Sequence, residues 1–216
     1  MGNIDNITIM ITIVNVLVSM KGFSDFSFFE KYKFNVGSVR RGEQIRMLSA
    51  GFLHVDQMHL FFNMFTLYFF ADQVISVLGA TGFILVYFGS LILGNLLSLY
   101  FHKEEYYYSA VGASGAVTGV LYAAILLHPE MRLYMFFIPI PIPGYVFGIG
   151  YLLYSIYGMK NRVGNIGHDA HFGGAIGGYV ITLILASWVV KEQPIMVVLL
   201  AIPIILLYVM KKTGKI

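Results

Sequence analysis

Three short clusters carry side chains that could do chemistry together. One is Gly112-Ala113-Ser114-Gly115. The second is His59 with Asn63, and the third runs Gly167-His168-Asp169-Ala170-His171. A serine hydroxyl is a weak nucleophile until a base takes its proton, and histidine is the usual base near neutral pH. Attack on a carbonyl then needs donors aimed at the oxyanion. The Ser114 amide falls near a predicted helix start, where N–H groups are unpaired and the dipole favours negative charge. Asn63 is four residues after His59, so both share one helix face. Asp169 is two residues before His171, roughly 200° around a helix, and points away. The chemistry indicated is acyl transfer by a Ser114–His171 dyad.

The same residues allow other readings. His59, His168, His171 and Asp169 are zinc-ligand types, which would make a zinc-dependent membrane hydrolase. A serine in an apolar helix can simply bond its own i−4 carbonyl, and glycines can serve packing alone. The chain would then be a non-catalytic binding protein. Some classes are excluded. GASGA lacks the last glycine of G-x-S-x-G and follows no strand, so it is not a soluble α/β-hydrolase elbow. No H-E-x-x-H occurs. The chain has no cysteine, which removes disulfides, thiolate metal sites and a cysteine nucleophile.

These clusters must be positioned by elements that live in lipid. Of 216 residues, 58% are hydrophobic and 12% charged; a soluble domain carries roughly 25% charged residues. Seven apolar stretches approach the roughly 20 residues needed to span a bilayer. They fall at about 4–20, 57–78, 82–102, 112–128, 143–159, 168–190 and 194–210. The sequence predicts an all-α, polytopic transmembrane helix bundle, one integral-membrane domain over 1–216. Ile7 to Met20 lacks a basic leader and reads as a retained first helix. The net charge of +3 suits loops meeting headgroups, not nucleic acid. Prolines 139, 141 and 143 forbid a regular helix, so 136–146 is expected to be an extended connection. The loop over about 21–56 mixes six cations with aromatics, the composition of a structure lying in the interface.

Counting spans places the clusters at one depth. The second, fourth and sixth spans all enter from the surface that carries the 21–56 loop. His59, Asn63, Ser114, His168 and His171 lie in or near their first turns. Gly115/Gly119, Gly173/Gly177 and Gly174/Gly178 have the small-xxx-small spacing that lets helix backbones meet. Asn15 is expected to make a helix-packing hydrogen bond. His54, His102 and His128, near span ends, are expected to be interfacial.

GASG at 112–115, HLFFN at 59–63 and AHFGGAIGG at 170–178 resemble the rhomboid intramembrane serine proteases. PIPIPGYVFGIGYLLYS at 139–155 is similar to the connection and fifth helix of bacterial members. Together these cover about residues 40–180. The resemblance implies a six-helix core (about 4–190) with a seventh, added C-terminal helix (about 194–210). It implies Ser114 as nucleophile and His171 as base, with His59, Asn63 and the Ser114 amide as oxyanion hole. Gly112 and Gly115 would shape the turn around Ser114, and Gly174 would let the fourth and sixth helices meet. Arg46 resembles the arginine of the family's Trp-Arg pair, with Ile45 in place of the tryptophan. Thr118 stands where some members have a tyrosine that packs on the histidine.

The implied activity is cleavage of peptide bonds in or near transmembrane segments of substrate proteins, through an acyl-enzyme and without cofactor or metal. Expected partners are transmembrane substrates and the bilayer. The expected location is a bacterial inner or plasma membrane, with the active site toward the outside. Charge counting opposes that orientation. The segments on the 21–56 side hold twelve Lys and Arg, and the other side only Arg132 and Lys191. The positive-inside rule alone would make the first side cytoplasmic.

Overall fold

The computed structural model describes residues 5–135, 138–164 and 166–216. Ile4, at the expected start of the first span, and Phe136 and Phe137, in the expected extended connection, lie outside the described residues. The described residues form an all-α membrane bundle. Helix α1 (Asn6–Ser24) starts where the Asp5 carboxylate accepts from the Ile7 amide at 2.9 Å. Asp25 ends it and in turn caps α2 (Phe26–Tyr32) by accepting from the Phe28 amide. Such caps satisfy amides that have no intrahelical acceptor.

The connection predicted to lie in the interface is folded. After α2 come β1 (Phe34–Asn35), α3 (Val36–Arg40), α4 (Arg46–Ser49) and a 3-10 turn over Ala50–Phe52. Phe34, Val36, Val39, Met47 and Ala50 form a small apolar core of their own. Arg46, next to Met47, is also buried. Its guanidinium donates to the Glu30 carbonyl at 2.8 Å, the Lys33 carbonyl at 2.9 Å and the Glu43 carboxylate at 2.7 Å. Arg46 therefore holds the loop with Ile45 exposed beside it. Strand β1 pairs antiparallel with β2 (Ser109–Ala110), Phe34 opposite Ala110, and so ties this loop to the chain just ahead of Ser114.

The second and third spans form one long element, α5 (Gln57–Phe101), broken at Gly79. There the backbone takes φ 69° and ψ 174°, a conformation open to glycine because it lacks a Cβ. Each arm is long enough for one crossing. Helix α6 (Ser114–Leu127) has 14 residues and every one after Ser114 is buried. At about 1.5 Å rise per residue it is short for a bilayer, and its neighbours rather than lipid surround it. The strands β3 (Arg132–Met135) and β4 (Ile138–Pro143) form an antiparallel hairpin before α7 (Gly144–Asn161). The extended conformation follows from the prolines; the pairing was not legible. Helix α8 (His168–Leu185) ends short of the predicted 190, and a separate turn, α9 (Val189–Glu192), leads into α10 (Pro194–Lys212).

Glycine decides how the central helices meet. On α8, Gly174 and Gly178 lie against the backbone of Gly115 and Gly119 on α6. Gly173 and Gly177 lie against the second arm of α5. A Cβ at Gly173 would stand 2.6 Å from the Leu93 carbonyl oxygen and one at Gly177 2.8 Å from the Ser90 Cα. Two glycine stripes thus wedge α8 between α5 and α6 at backbone contact.

Candidate active site

The close α6–α8 approach brings Ser114 to His171. The Ser114 Oγ lies 2.6 Å from His171 Nε2, a hydrogen bond between the first turns of the two helices. Helix α6 begins at Ser114 itself, so its amide is among those with no intrahelical acceptor. Gly112, two residues earlier, has φ +128°, where an L side chain would be strained. A Cβ there would also come within 2.7 Å of the His59 ring. The close turn and the His59 ring are packed on each other through this glycine.

His59 and Asn63 stand in the first turns of α5, opened by the Asp56 carboxylate, which accepts from the His59 amide at 2.7 Å. One N–H of the Asn63 amide donates to the His59 carbonyl at 3.0 Å. An amide has two such hydrogens, so the second is free for another acceptor. His59 Nδ1 is buried without a hydrogen-bond partner. His59, Asn63, Gly112, Ser114 and His171 all line one cavity of about 1900 Å³ between the first arm of α5 and α7. Phe62, Phe69 and Phe147 supply part of its apolar wall.

Two expected candidates point elsewhere. The His168 Nε2 meets the Val163 carbonyl at 3.1 Å and its ring packs edge-on against Tyr154. Asp169 accepts from the Tyr108 hydroxyl at 3.3 Å and lies 3.6 Å from His102 Nε2. No three His, Cys, Asp or Glu side chains among the described residues are grouped to hold a metal. The donor set weighed for zinc is therefore dispersed: His59 and His171 face the cavity, while His168 and Asp169 turn into separate contacts.

Three histidines expected at the interface have structural roles. His54 is fully buried. Ser19 Oγ, which donates to the Phe52 carbonyl, meets His54 Nδ1 at 2.8 Å, and the Ala113 amide donates to His54 Nε2 at 3.4 Å. Burial, with His59 beside it, pushes His54 down to about 3, so it is neutral and links α1 to the Ser114 turn. Its ring stands edge-on to His59 at 4.9 Å. His102 stacks on Tyr108 at 3.5 Å. His128 Nε2 is 3.0 Å from the Gln73 carbonyl. Asn15 donates to the Ile11 carbonyl at 2.9 Å and toward the Tyr87 hydroxyl on α5 at 3.4 Å, the helix-packing contact expected of it.

Tyr151 was missed. Its hydroxyl lies 2.7 Å from His171 Nδ1, on the side of the ring opposite Ser114. A signal existed: Gly144, Gly148, Tyr151, Leu152 and Ser155 recur at helical spacing along one side of α7, so the tyrosine belongs to a stripe of small residues that faces the bundle.

A rhomboid domain family model matches residues 41–188, more than half of the chain. The chain belongs to the rhomboid family. It is 29% identical over 153 residues to rhomboid protein 1, mitochondrial, of Saccharomyces cerevisiae, covering 69% of this chain and 44% of that protein. It is 33% identical over 139 residues to the presenilin-associated rhomboid-like protein, mitochondrial, of Homo sapiens, covering 61% and 35%. Over 87 residues it is 39% identical to a rhomboid protein of Bacillus subtilis (strain 168), covering 40% and 42%. The chain thus spans about half the length, or less, of these relatives. Mitochondrial and bacterial rhomboids both stand among them. They support an integral membrane protein and do not favour the bacterial origin expected from the sequence.

Proposed function

We propose that this rhomboid is an intramembrane serine endopeptidase with Ser114 as nucleophile and His171 as general base. The observation that carries the reading is the 2.6 Å contact between Ser114 Oγ and His171 Nε2 at the wall of a large, mostly apolar cavity. A serine–imidazole pair at this distance is the activated nucleophile that acyl transfer requires.

A substrate transmembrane segment would enter between the first arm of α5 and α7 and unwind locally, because a helix hides its carbonyls in hydrogen bonds. As Ser114 Oγ bonds to the exposed carbonyl carbon, its proton passes to His171 Nε2. The carbonyl oxygen becomes an oxyanion facing the Ser114 amide, the second N–H of Asn63 and the His59 ring. His171 then returns the proton to the departing amine as the C–N bond breaks. A water from the loop-bearing surface, deprotonated by His171, hydrolyses the ester and restores Ser114. The residues of the alternative zinc reading are not grouped for a metal, so no step here is routed through one.

The test needs no known substrate. Purified protein in detergent is treated with a fluorophosphonate, and the label is located by mass spectrometry. Label on Ser114 that is lost in both Ser114→Ala and His171→Ala supports the proposal. A folded protein whose Ser114 stays unlabelled, and which cleaves no transmembrane reporter, overturns it in favour of a rhomboid that binds helices without cutting them.

A further inference from the structure

Asp169 takes no part in the dyad, yet it is buried in the first turn of α8, just ahead of His171. Its Oδ1 accepts from the Tyr108 hydroxyl at 3.3 Å. Its Oδ2 has no hydrogen-bond partner and lies 3.6 Å from His102 Nε2, within reach of an ion pair. The other ring nitrogen of His102, Nδ1, lies 3.1 Å from Glu105 Oε2. His102 thus has a carboxylate oxygen in front of each nitrogen. A neutral imidazole has one N–H, so one carboxylate would face a lone pair. An imidazolium has two, and the arrangement suits the charged ring. Tyr108 stacks on it nearly parallel at 3.5 Å, a contact that also favours a cation.

The cluster lies where the two halves of the dyad enter the bundle. Tyr108 leads into β2 and from there to Gly112 and Ser114. Asp169 leads, within one turn, to His171. His102 caps the second arm of α5 and touches both segments. The cations around it are engaged elsewhere. Arg162, at the end of α7, holds the other Glu105 oxygen at 3.2 Å. Arg40 of α3 turns to the Lys103 carbonyl and the Tyr106 ring, and Lys211 of α10 lies over the rings of Tyr100 and Phe101. Lys103 and Glu104, next in the chain, are exposed.

Resting on the Ser114–His171 reading, we propose that His102 in its charged form is a positioning residue for the dyad, clamping Asp169 and Tyr108 together so that the first turn of α8 is fixed against the segment leading to Ser114. Loss of the charge leaves Asp169 a buried carboxylate without a cation, which is costly, and releases that turn. The sign in pH follows. Burial works against the charge, but Asp169 and then Glu105 outweigh it and hold the ring above the ordinary histidine value. The clamp is therefore closed at low pH and opens as pH rises through the folded value. The general base behaves in the opposite sense, since His171 must be neutral to accept a proton. The alkaline limb of activity belongs to His102.

One arm of the test follows the ring itself. In protein labelled with 15N-histidine and held in detergent, His102 is assigned by its loss in His102→Gln and titrated by NMR. It is expected to stay charged to higher pH than an ordinary histidine, and Asp169→Asn is expected to lower its midpoint. The other arm follows the rate of fluorophosphonate labelling at Ser114. In the wild type that rate should fall on the alkaline side, at the His102 midpoint, by about fivefold, the size of one well-placed ion pair. His102→Arg keeps a planar cation over Tyr108 at every pH and should hold the rate up. His102→Gln should already be about fivefold slow at about pH 6. A role in stability alone would not separate the arginine variant from the glutamine one. An alkaline fall that persists unchanged in His102→Arg overturns the proposal, as does a His102→Gln rate within about twofold of wild type at about pH 6. So does a His102 midpoint that Asp169→Asn leaves in place, and that result needs no active serine. A ring that titrates as expected in a protein whose Ser114 never labels supports the clamp and overturns the protease reading instead.

Discussion

At the scale of single residues, the candidate site is built from polar side chains that the bilayer makes expensive. Asn63 shows how such a residue can serve without stabilising. Its one hydrogen bond runs back to the His59 carbonyl of its own helix, a contact that contributes little to a helix already formed. Asn63 also lines the cavity, and its second N–H is left for another acceptor. Asn63→Ala should therefore leave the melting temperature in detergent nearly unchanged while kcat on a transmembrane reporter falls about 100-fold or more, the cost of one oxyanion donor. A loss of stability with kcat intact would assign Asn63 to packing instead. Residues of this kind were legible in the sequence because serine, histidine and asparagine are rare against an apolar background. Tyr151 was not, for the opposite reason. The chain has 15 tyrosines, and in a membrane protein an interfacial belt explains most of them. His54 was misplaced because position near a span end says nothing about whether other elements close over it, as α1 and the turn ahead of Ser114 do.

Between elements, the distance from Ser114 to His171 is set by glycines rather than by either side chain of the candidate dyad. Gly174 lies against the Gly115 backbone, with the Gly115 Cα 3.0 Å from where a Cβ would be. Backbone cannot move aside as a side chain can, so Gly174→Ala must push α8 from α6. Overpacking of this sort costs about 1–3 kcal/mol. The expected result is a lower melting temperature together with loss of fluorophosphonate labelling at Ser114; labelling at the wild-type rate would show that the two helices can separate without parting the dyad. The first turn of α8 is also tied to the loop side through Asp169. Burial works against charge on His102, but Asp169 and Glu105 together outweigh it and raise its pKa above 6.5. A raised value means that the folded state favours the imidazolium. The stabilisation is complete below about 6.5 and is lost as pH rises through the folded value. The loss of melting temperature caused by Asp169→Asn should thus be larger at about pH 6 than at about pH 8, a comparison that sets aside His54, whose depressed value acts in the opposite sense. An equal loss at the two pH values would place the titration elsewhere. The helix order and the glycine contacts could be foreseen from spacing. The pairing of β3 with β4 and of β1 with β2 could not: β1 and β2 have two residues each, and the alternating prolines of β4 remove N–H groups that a ladder uses.

For the molecule as a whole, the open conflict is which way it faces. Twelve of the fourteen Lys and Arg lie on the side that carries the candidate site, and a rule of simple counting would put that side in the cytoplasm. The structure weakens the count. Arg46 is buried in three hydrogen bonds, Lys33 is paired with Glu30, and Arg40 donates to the Lys103 carbonyl and stacks on Tyr106. Arg162 and Lys21 are paired with Glu105 and Asp25. These cations are engaged in a folded surface, where the bias that acts on short unfolded loops is weaker. The family resemblance, which places the site toward the outside, is then the stronger guide. Tyr107, 97% exposed in the loop ahead of Ser114, offers the probe. The chain has no cysteine, so Tyr107→Cys creates a single reactive thiol at a position where nothing packs. Expressed in a bacterial inner membrane, that thiol should react with an impermeant maleimide in intact spheroplasts. Labelling seen only after the membrane is opened would reverse the orientation, and the charge count would have been the better guide after all.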